Sequence, residues 1–131
     1  MRNPWKTLLA KAHTAARPGQ EKKNGIKRTE PLEVTITDQY LAQQYNLQDG
    51  KCHWSKYPID PYGVYESQNP FAPSLDRIDP MKGYVPGNVV LTLRMINLGR
   101  QNCPPEKFQS LMELFKNHCK GESVVSQLFS N

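Results

Sequence analysis

The chain has 131 residues, a formal net charge of +5, 37% apolar residues and 22% charged ones. That length supports one compact domain with room for an appended arm. The composition supports only a modest core, and no run of 18 apolar residues is present to cross a bilayer.

Three widely spaced cysteines, Cys52, Cys103 and Cys119, argue against a disulfide framework. Charged residues interrupt the N-terminal apolar positions Trp5, Leu8 and Leu9, so no signal-peptide core is visible and an intracellular location is expected. The excess charge is localised. Residues 1–36 hold Arg2, Lys6, Lys11, Arg17, Lys22, Lys23, Lys27 and Arg28 against Glu21, Glu30 and Glu33, while the rest of the chain is balanced. A basic N-terminal segment of this kind suits a polyanionic partner.

In chain order, Trp5, Leu8, Leu9, Ala12, Ala15 and Ala16 lie at helical spacing, predicting an amphipathic helix over 4–17 that Pro18-Gly19 ends. Its apolar stripe is expected to dock on the core, leaving Lys6, Lys11 and Arg17 for phosphate. Residues 18–31 read as a flexible basic linker. Val34 and Ile36 alternate with polar neighbours as a short extended segment. Thr37 is placed to cap a helix of roughly ten residues, which Asp49-Gly50 closes. Prolines and glycines make 51–73 a loop.

Residues 74–78 read as a strand, Asp79-Pro80 and Pro86-Gly87 as turns, and 89–93 as a second, β-branched strand. A short helix follows from Arg94 to about Asn102. Pro104-Pro105 interrupts the chain, and Pro105 suits a first helical position. Phe108, Leu111, Met112, Leu114 and Phe115 then form a helical stripe over 105–119, ended by Gly121. The short connections make 74–102 an antiparallel strand pair with a helix across it, a ββα unit.

Asp76, Asn88 and Asn97 stand out within that unit. Phosphodiester cleavage needs a cation at the phosphate oxygens, a deprotonated water and a group that stabilises the developing charge. A hard cation takes oxygen ligands. Asp76 offers a carboxylate and Asn97 an amide oxygen, which converge if the first strand and the helix pack together.

The stretch Ser74-Leu75-Asp76-Arg77-Ile78-Asp79, then Gly83-Tyr84, Gly87-Asn88-Val89 and Asn97, resembles the HNH (His-Me finger, ββα-metal) nucleases, and more narrowly their phage and bacterial subgroup. Weaker likeness extends over about 33–120. The resemblance implies an α+β fold, a small ββα-metal core with flanking helices and a basic N-terminal helix and arm. With the basic segment and linker, this divides the chain into a DNA-contacting arm, 1–31, and a nuclease domain, 32–131.

It further implies Asp76 and Asn97 as ligands of Mg²⁺ or Mn²⁺, and Asn88 as the brace of the loop. Gln101 falls at a further ligand or phosphate position, on the Asn97 face of the helix. Arg94 and Arg100, with Lys6, Lys11, Arg17, Lys27 and Arg28, are candidate DNA contacts.

Two departures from the family pattern stand out. Arg77 occupies the usual place of the histidine base, and a guanidinium cannot take a proton from water at neutral pH; it suits the scissile phosphate instead. The base is then metal-bound hydroxide alone, His53, a tyrosine (Tyr57, Tyr62, Tyr65 or Tyr84) or Asp79, with His53 the first choice by its ordinary pKa. Of the two cysteine pairs that hold zinc in many members, only Cys52 remains. Ser55, Leu93 and Ile96 fill the other places, so no structural zinc is expected.

The implied function is a metal-dependent endonuclease acting on double-stranded DNA, phage-encoded or of homing type, as monomer or homodimer and without membrane association. The alternative is a DNA-binding protein on a catalytically decayed HNH scaffold.

Overall fold

A computed structural model describes residues 2–19 and 29–129, with side chains through His118. Lys27 and Arg28 lie outside the described residues, as does most of the linker expected at 18–31. The elements are α1 (Pro4–Ala15), α2 (Asp38–Leu47), a 3-10 turn (Pro61–Tyr65), β1 (Pro73–Arg77), β2 (Val89–Leu93), α3 (Arg94–Arg100) and α4 (Pro105–Phe129). This is the α+β arrangement expected from the sequence.

The two strands pair antiparallel, with Asp76 opposite Val90 and Ser74 opposite Thr92. Every residue of β2 is buried, as its unbroken apolar and β-branched character predicts. The exposed backbone edge of β2 is closed by side chains. Gln48 donates to the Leu91 carbonyl and accepts from the Leu91 amide, at 2.8 and 2.9 Å. The His53 amide donates to the same carbonyl at 2.9 Å.

Helix starts follow their capping chemistry. The Thr37 hydroxyl accepts from the Tyr40 amide at 3.0 Å, and Asn3 accepts from the Trp5 and Lys6 amides, leaving fewer orphan donors at each end. Helix α1 sets Leu8, Ala12 and Ala16 into the same buried cluster as Leu41, Trp54, Leu91 and Phe108. Lys6, Lys11 and Arg17 are exposed.

One sequence expectation needs correction. Helix α4 runs through Gly121 to Phe129; one glycine costs a helix only about 1 kcal/mol relative to alanine and does not stop it. Of its apolar stripe, only Phe108 and Met112 are buried, whereas Leu111, Leu114 and Phe115 are exposed.

The loop from 78 to 88 is held by Asn88. Its buried side chain accepts from the Asp79 amide at 2.9 Å and donates to the Asp79 and Gly83 carbonyls at 3.1 and 2.9 Å. Gly83 lets the loop approach the 33–36 segment: a Cβ there would stand 2.3 Å from the Glu33 carbonyl oxygen. The backbone bonds between Tyr84 and Glu33, Thr35 and Ile36 depend on that approach.

Candidate active site

Asp76 is buried at 0% exposure in the middle of the ββα unit. Its Oδ2 accepts from the Trp54 indole at 2.7 Å, and its Oδ1 pairs with the Arg100 guanidinium. Arg100, 2% exposed, is itself fully engaged. Its Nε donates to the Cys103 carbonyl at 3.2 Å, its Nη1 also reaches the Arg77 carbonyl at 3.2 Å, and its Nη2 donates to the Ile78 carbonyl at 3.0 Å. The guanidinium lies 4.8 Å from the centre of the Trp54 ring, which Phe108 of α4 meets edge-on at 5.3 Å.

Such a cluster satisfies a buried charge from every side, the condition under which burial is tolerated. Arg100, expected at a DNA phosphate, is instead an interior partner of the carboxylate.

Asn97 packs against the same strand. Its Nδ2 donates to the Ser74 hydroxyl at 2.7 Å and to the Leu75 carbonyl at 3.1 Å. Strand and helix thus bring Asn97 to the residues directly preceding Asp76. The pair does not fit a divalent ion as it stands: both carboxylate oxygens already accept bonds, a cation occupies one of them, and the group has no solvent exposure.

Arg77, next along an alternating strand, points to the opposite face from Asp76. Its Nη1 donates to the Pro80 and Lys82 carbonyls at 2.6 and 3.0 Å, and it sits 5.3 Å from the Tyr84 ring centre. Gln101 lies beyond the last turn of α3 at φ +50°. It is exposed and does not extend the helical face of Asn97.

His53 is half-buried and edge-on to Trp54 at 4.6 Å. Burial holds its pKa below the ordinary value, helped by Lys56 and Arg100 and opposed by Asp76. It is therefore a neutral imidazole at pH 7, the form that can accept a proton.

Cys52 lies buried with Sγ 3.1 Å from the Thr92 hydroxyl. Burial pushes its thiol up, but hydrogen bonds from Ser55, Thr92 and Leu93 outweigh that and leave it below its usual value. Ser55 and Leu93 thus do gather around Cys52, and Leu93 is buried. Among the described residues no cluster of three or more histidine, cysteine or acidic side chains is placed to hold a metal.

Trp54 is the residue whose role sequence reasoning missed, although a buried indole must find an acceptor. Arg100 also carried a signal. It follows Leu93 and Ile96 at seven and four residues, so it falls on the inward face of α3.

The outer side of the unit differs. A cleft of about 240 Å³ lies between α1, β1 and α3, lined by Lys11, Arg94, Ser74 and Asn97 along with apolar side chains. Arg94 is anchored through Nη1 to the Glu66 and Asn69 carbonyls at 2.9 and 3.3 Å.

No protein-family model matches this chain, and no curated protein matches it in sequence. Among solved structures it is similar to the rare-cutting HNH restriction endonuclease PacI, whose structural study describes a mechanism of DNA perturbation. The two share 19% identity at a TM-score of 0.58, over 92% of this chain and 79% of that one. The likeness establishes an HNH-type fold.

Proposed function

We propose that this protein is a DNA endonuclease that hydrolyses phosphodiester bonds, of the phage-encoded or homing type that its Ser-Leu-Asp-Arg-Ile-Asp stretch resembles. The observation that carries the reading is the ββα unit itself: Asn97 of α3 is fastened to β1 beside Asp76, on a fold similar to that of an HNH restriction endonuclease.

His53, held neutral, is the first-choice group to take a proton from an attacking water. Arg77 uses Nη1 on the loop, and its Nε and Nη2 are the donors it can offer a phosphate. Asn88 keeps the loop beside it in place. Exposed Lys6, Lys11 and Arg17, with Lys27, Arg28, Arg94 and Gln101, supply contacts along the duplex.

Mg²⁺ or Mn²⁺ at Asp76 and Asn97 is the requirement that the family likeness brings with it. The carboxylate is sealed by Arg100 and Trp54, so Asp76 and Asn97 as they stand do not fit such an ion. That same sealing favours the second reading, a DNA-binding protein on a closed nuclease scaffold.

A plasmid relaxation assay separates the two. On the endonuclease reading, supercoiled DNA is nicked with Mg²⁺ or Mn²⁺, EDTA stops it, and Asp76→Asn abolishes it while the circular dichroism spectrum stays native. Binding without nicking under either metal would establish the second reading and end the first.

A further inference from the structure

We infer that the cleft between α1, β1 and α3 is a phosphate-binding site, in which Lys11 and Arg94 hold a phosphate of a bound DNA strand while the adjoining sugar lies on the apolar wall of Leu8, Ala12 and Leu75. This rests on the reading of the protein as acting on DNA, and it assigns a specific site to two cations that the sequence offers only as parts of a general basic surface.

Three observations support it. First, the cleft is lined by two cations and no carboxylate. Neither Lys11 nor Arg94 forms an ion pair among the described residues. The most buried cation among the described residues, Arg100, is matched by Asp76, so an unmatched pair sharing one cleft is a departure that a bound anion would resolve.

Second, the Arg94 charge acts on Lys11. Burial first, and the Arg94 charge second, hold the Lys11 ammonium below its ordinary pKa. A dianion or diester monoanion between them reverses the second effect.

Third, the cleft is built from both parts of the molecule. Lys11 comes from α1, in the basic N-terminal segment, whereas Arg94 and Asn97 come from α3. Arg94 is tethered, since its Nη1 donates to two carbonyls. Its remaining hydrogens suit the forked geometry that recognises phosphate oxygens. Ser74 and Asn97, bonded to one another at 2.7 Å, line the same cleft. A phosphate held there would run the strand directly past the ββα unit, at the edge where Asn97 meets β1. The docked helix therefore does more than complete the core: it contributes one jaw of the site.

The test is binding, measured on the full chain in EDTA so that cleavage plays no part. A 20-base-pair duplex is titrated at several salt concentrations with the unaltered protein, Lys11→Gln, Ala15→Glu and, as a control for lost charge elsewhere, Lys107→Gln on α4. Loss of one phosphate contact reduces the salt slope by about one, so Lys11→Gln should weaken binding and flatten the slope by that amount, for any duplex sequence. Ala15→Glu places a carboxylate at the cleft and should weaken binding at least as much, whereas Lys107→Gln should leave the slope nearly unchanged.

In parallel, NMR titration of the Lys11 side chain should show its pKa rising on addition of the duplex. The same titration with a deoxynucleoside monophosphate distinguishes the source of the phosphate: a rise with the monophosphate assigns the cleft to a terminal phosphate, and a rise with duplex alone assigns it to an internal diester. A Lys11 pKa indifferent to both, or a Lys11→Gln slope equal to that of Lys107→Gln, overturns the site. The endonuclease reading is scored separately by nicking. Nicking with an inert cleft removes the site alone, and a responsive cleft without nicking removes the enzyme alone.

Discussion

The two sides of β1 handle charge in opposite ways. On the interior side, Asp76 has every oxygen engaged, Arg100 has partners for each nitrogen, and an aromatic lid of Trp54 and Phe108 excludes water. On the α1 side, Lys11 and Arg94 face a cleft with no acid in it. A satisfied cluster in low dielectric holds a fold together and resists a new ligand, because any ligand must first displace good partners. An unsatisfied pair of like charges is the reverse: it costs the free protein something and gains from an anion. Of the residues with the strongest family likeness, Asp76 therefore lies on the side arranged for stability, whereas Ser74 and Asn97 line the cleft with the weaker candidates Lys11 and Arg94.

The largest expected effect breaks the interior side. Arg100→Met removes the guanidinium and strands a buried carboxylate, at a cost of about 3–5 kcal/mol, read from urea denaturation. Arg100→Lys should recover little of it, since an ammonium cannot reach the three carbonyls that the planar fork reaches. Arg100→Met with Asp76→Leu should recover much of the loss if the pair is structural. A milder loss than about 1 kcal/mol for Arg100→Met would mean that Asp76 is readily rehydrated, and the interior side would then be as open to ligands as the cleft.

Next comes the loop brace. Asn88→Ala deprives the Asp79 amide and the Asp79 and Gly83 carbonyls of their partner at once, an expected cost of roughly 2–3 kcal/mol. Asn88→Asp keeps the acceptor but loses both donated bonds, so it should fall between. Equal stability of Asn88→Ala and the unaltered protein would remove the clamp.

These effects also show what the sequence made legible. Local chemistry was readable where one residue decides the outcome: the Thr37 cap, the Pro105 start of α4 and the β-branched run of β2; the place of Asn88 on its loop came from the family resemblance instead. The ββα unit follows from short connections and strand character, and the structure has it. The site was legible only in part, because which partner a charged group takes is decided by tertiary packing.

Asp76 could be identified as special, yet nothing along the chain says that Trp54 and Arg100, 22 and 24 residues away, meet on its two oxygens. Arg77 was legible only in part for a related reason: its Nη1 is taken by the Pro80 and Lys82 carbonyls, which satisfy a guanidinium as a phosphate does, and local sequence does not choose between them. Gln101 shows the remaining limit. Helical spacing from Asn97 holds only while the helix lasts, and α3 ends at Arg100.

A subtler break in the interior side is Trp54→Phe. The ring that packs on Phe108 and under Arg100 is kept in outline, and only the 2.7 Å bond to Asp76 is lost. A cost of about 1–3 kcal/mol is expected from the oxygen left without its donor. A Trp54→Phe protein as stable as the original would mean that Arg100 alone satisfies the carboxylate.

The smallest expected effect is in pH, and it concerns His53, which packs edge-on to Trp54. Folding holds the His53 pKa below 6.5, chiefly through burial. Between that folded value and 6.5 the unfolded chain binds a proton that the folded chain does not, so stability rises with pH across the window and falls on acidification. His53→Gln should therefore flatten the urea midpoint's dependence on pH below 6.5 and leave the midpoint above pH 7 nearly unchanged. If His53 is also the proton acceptor in cleavage, nicking should decline over the same acidic window, and His53→Gln should lower the rate on the plateau as well. A flattened stability profile with an unaltered nicking rate would make His53 a buried bystander, and the acceptor would have to be sought among the tyrosines or Asp79.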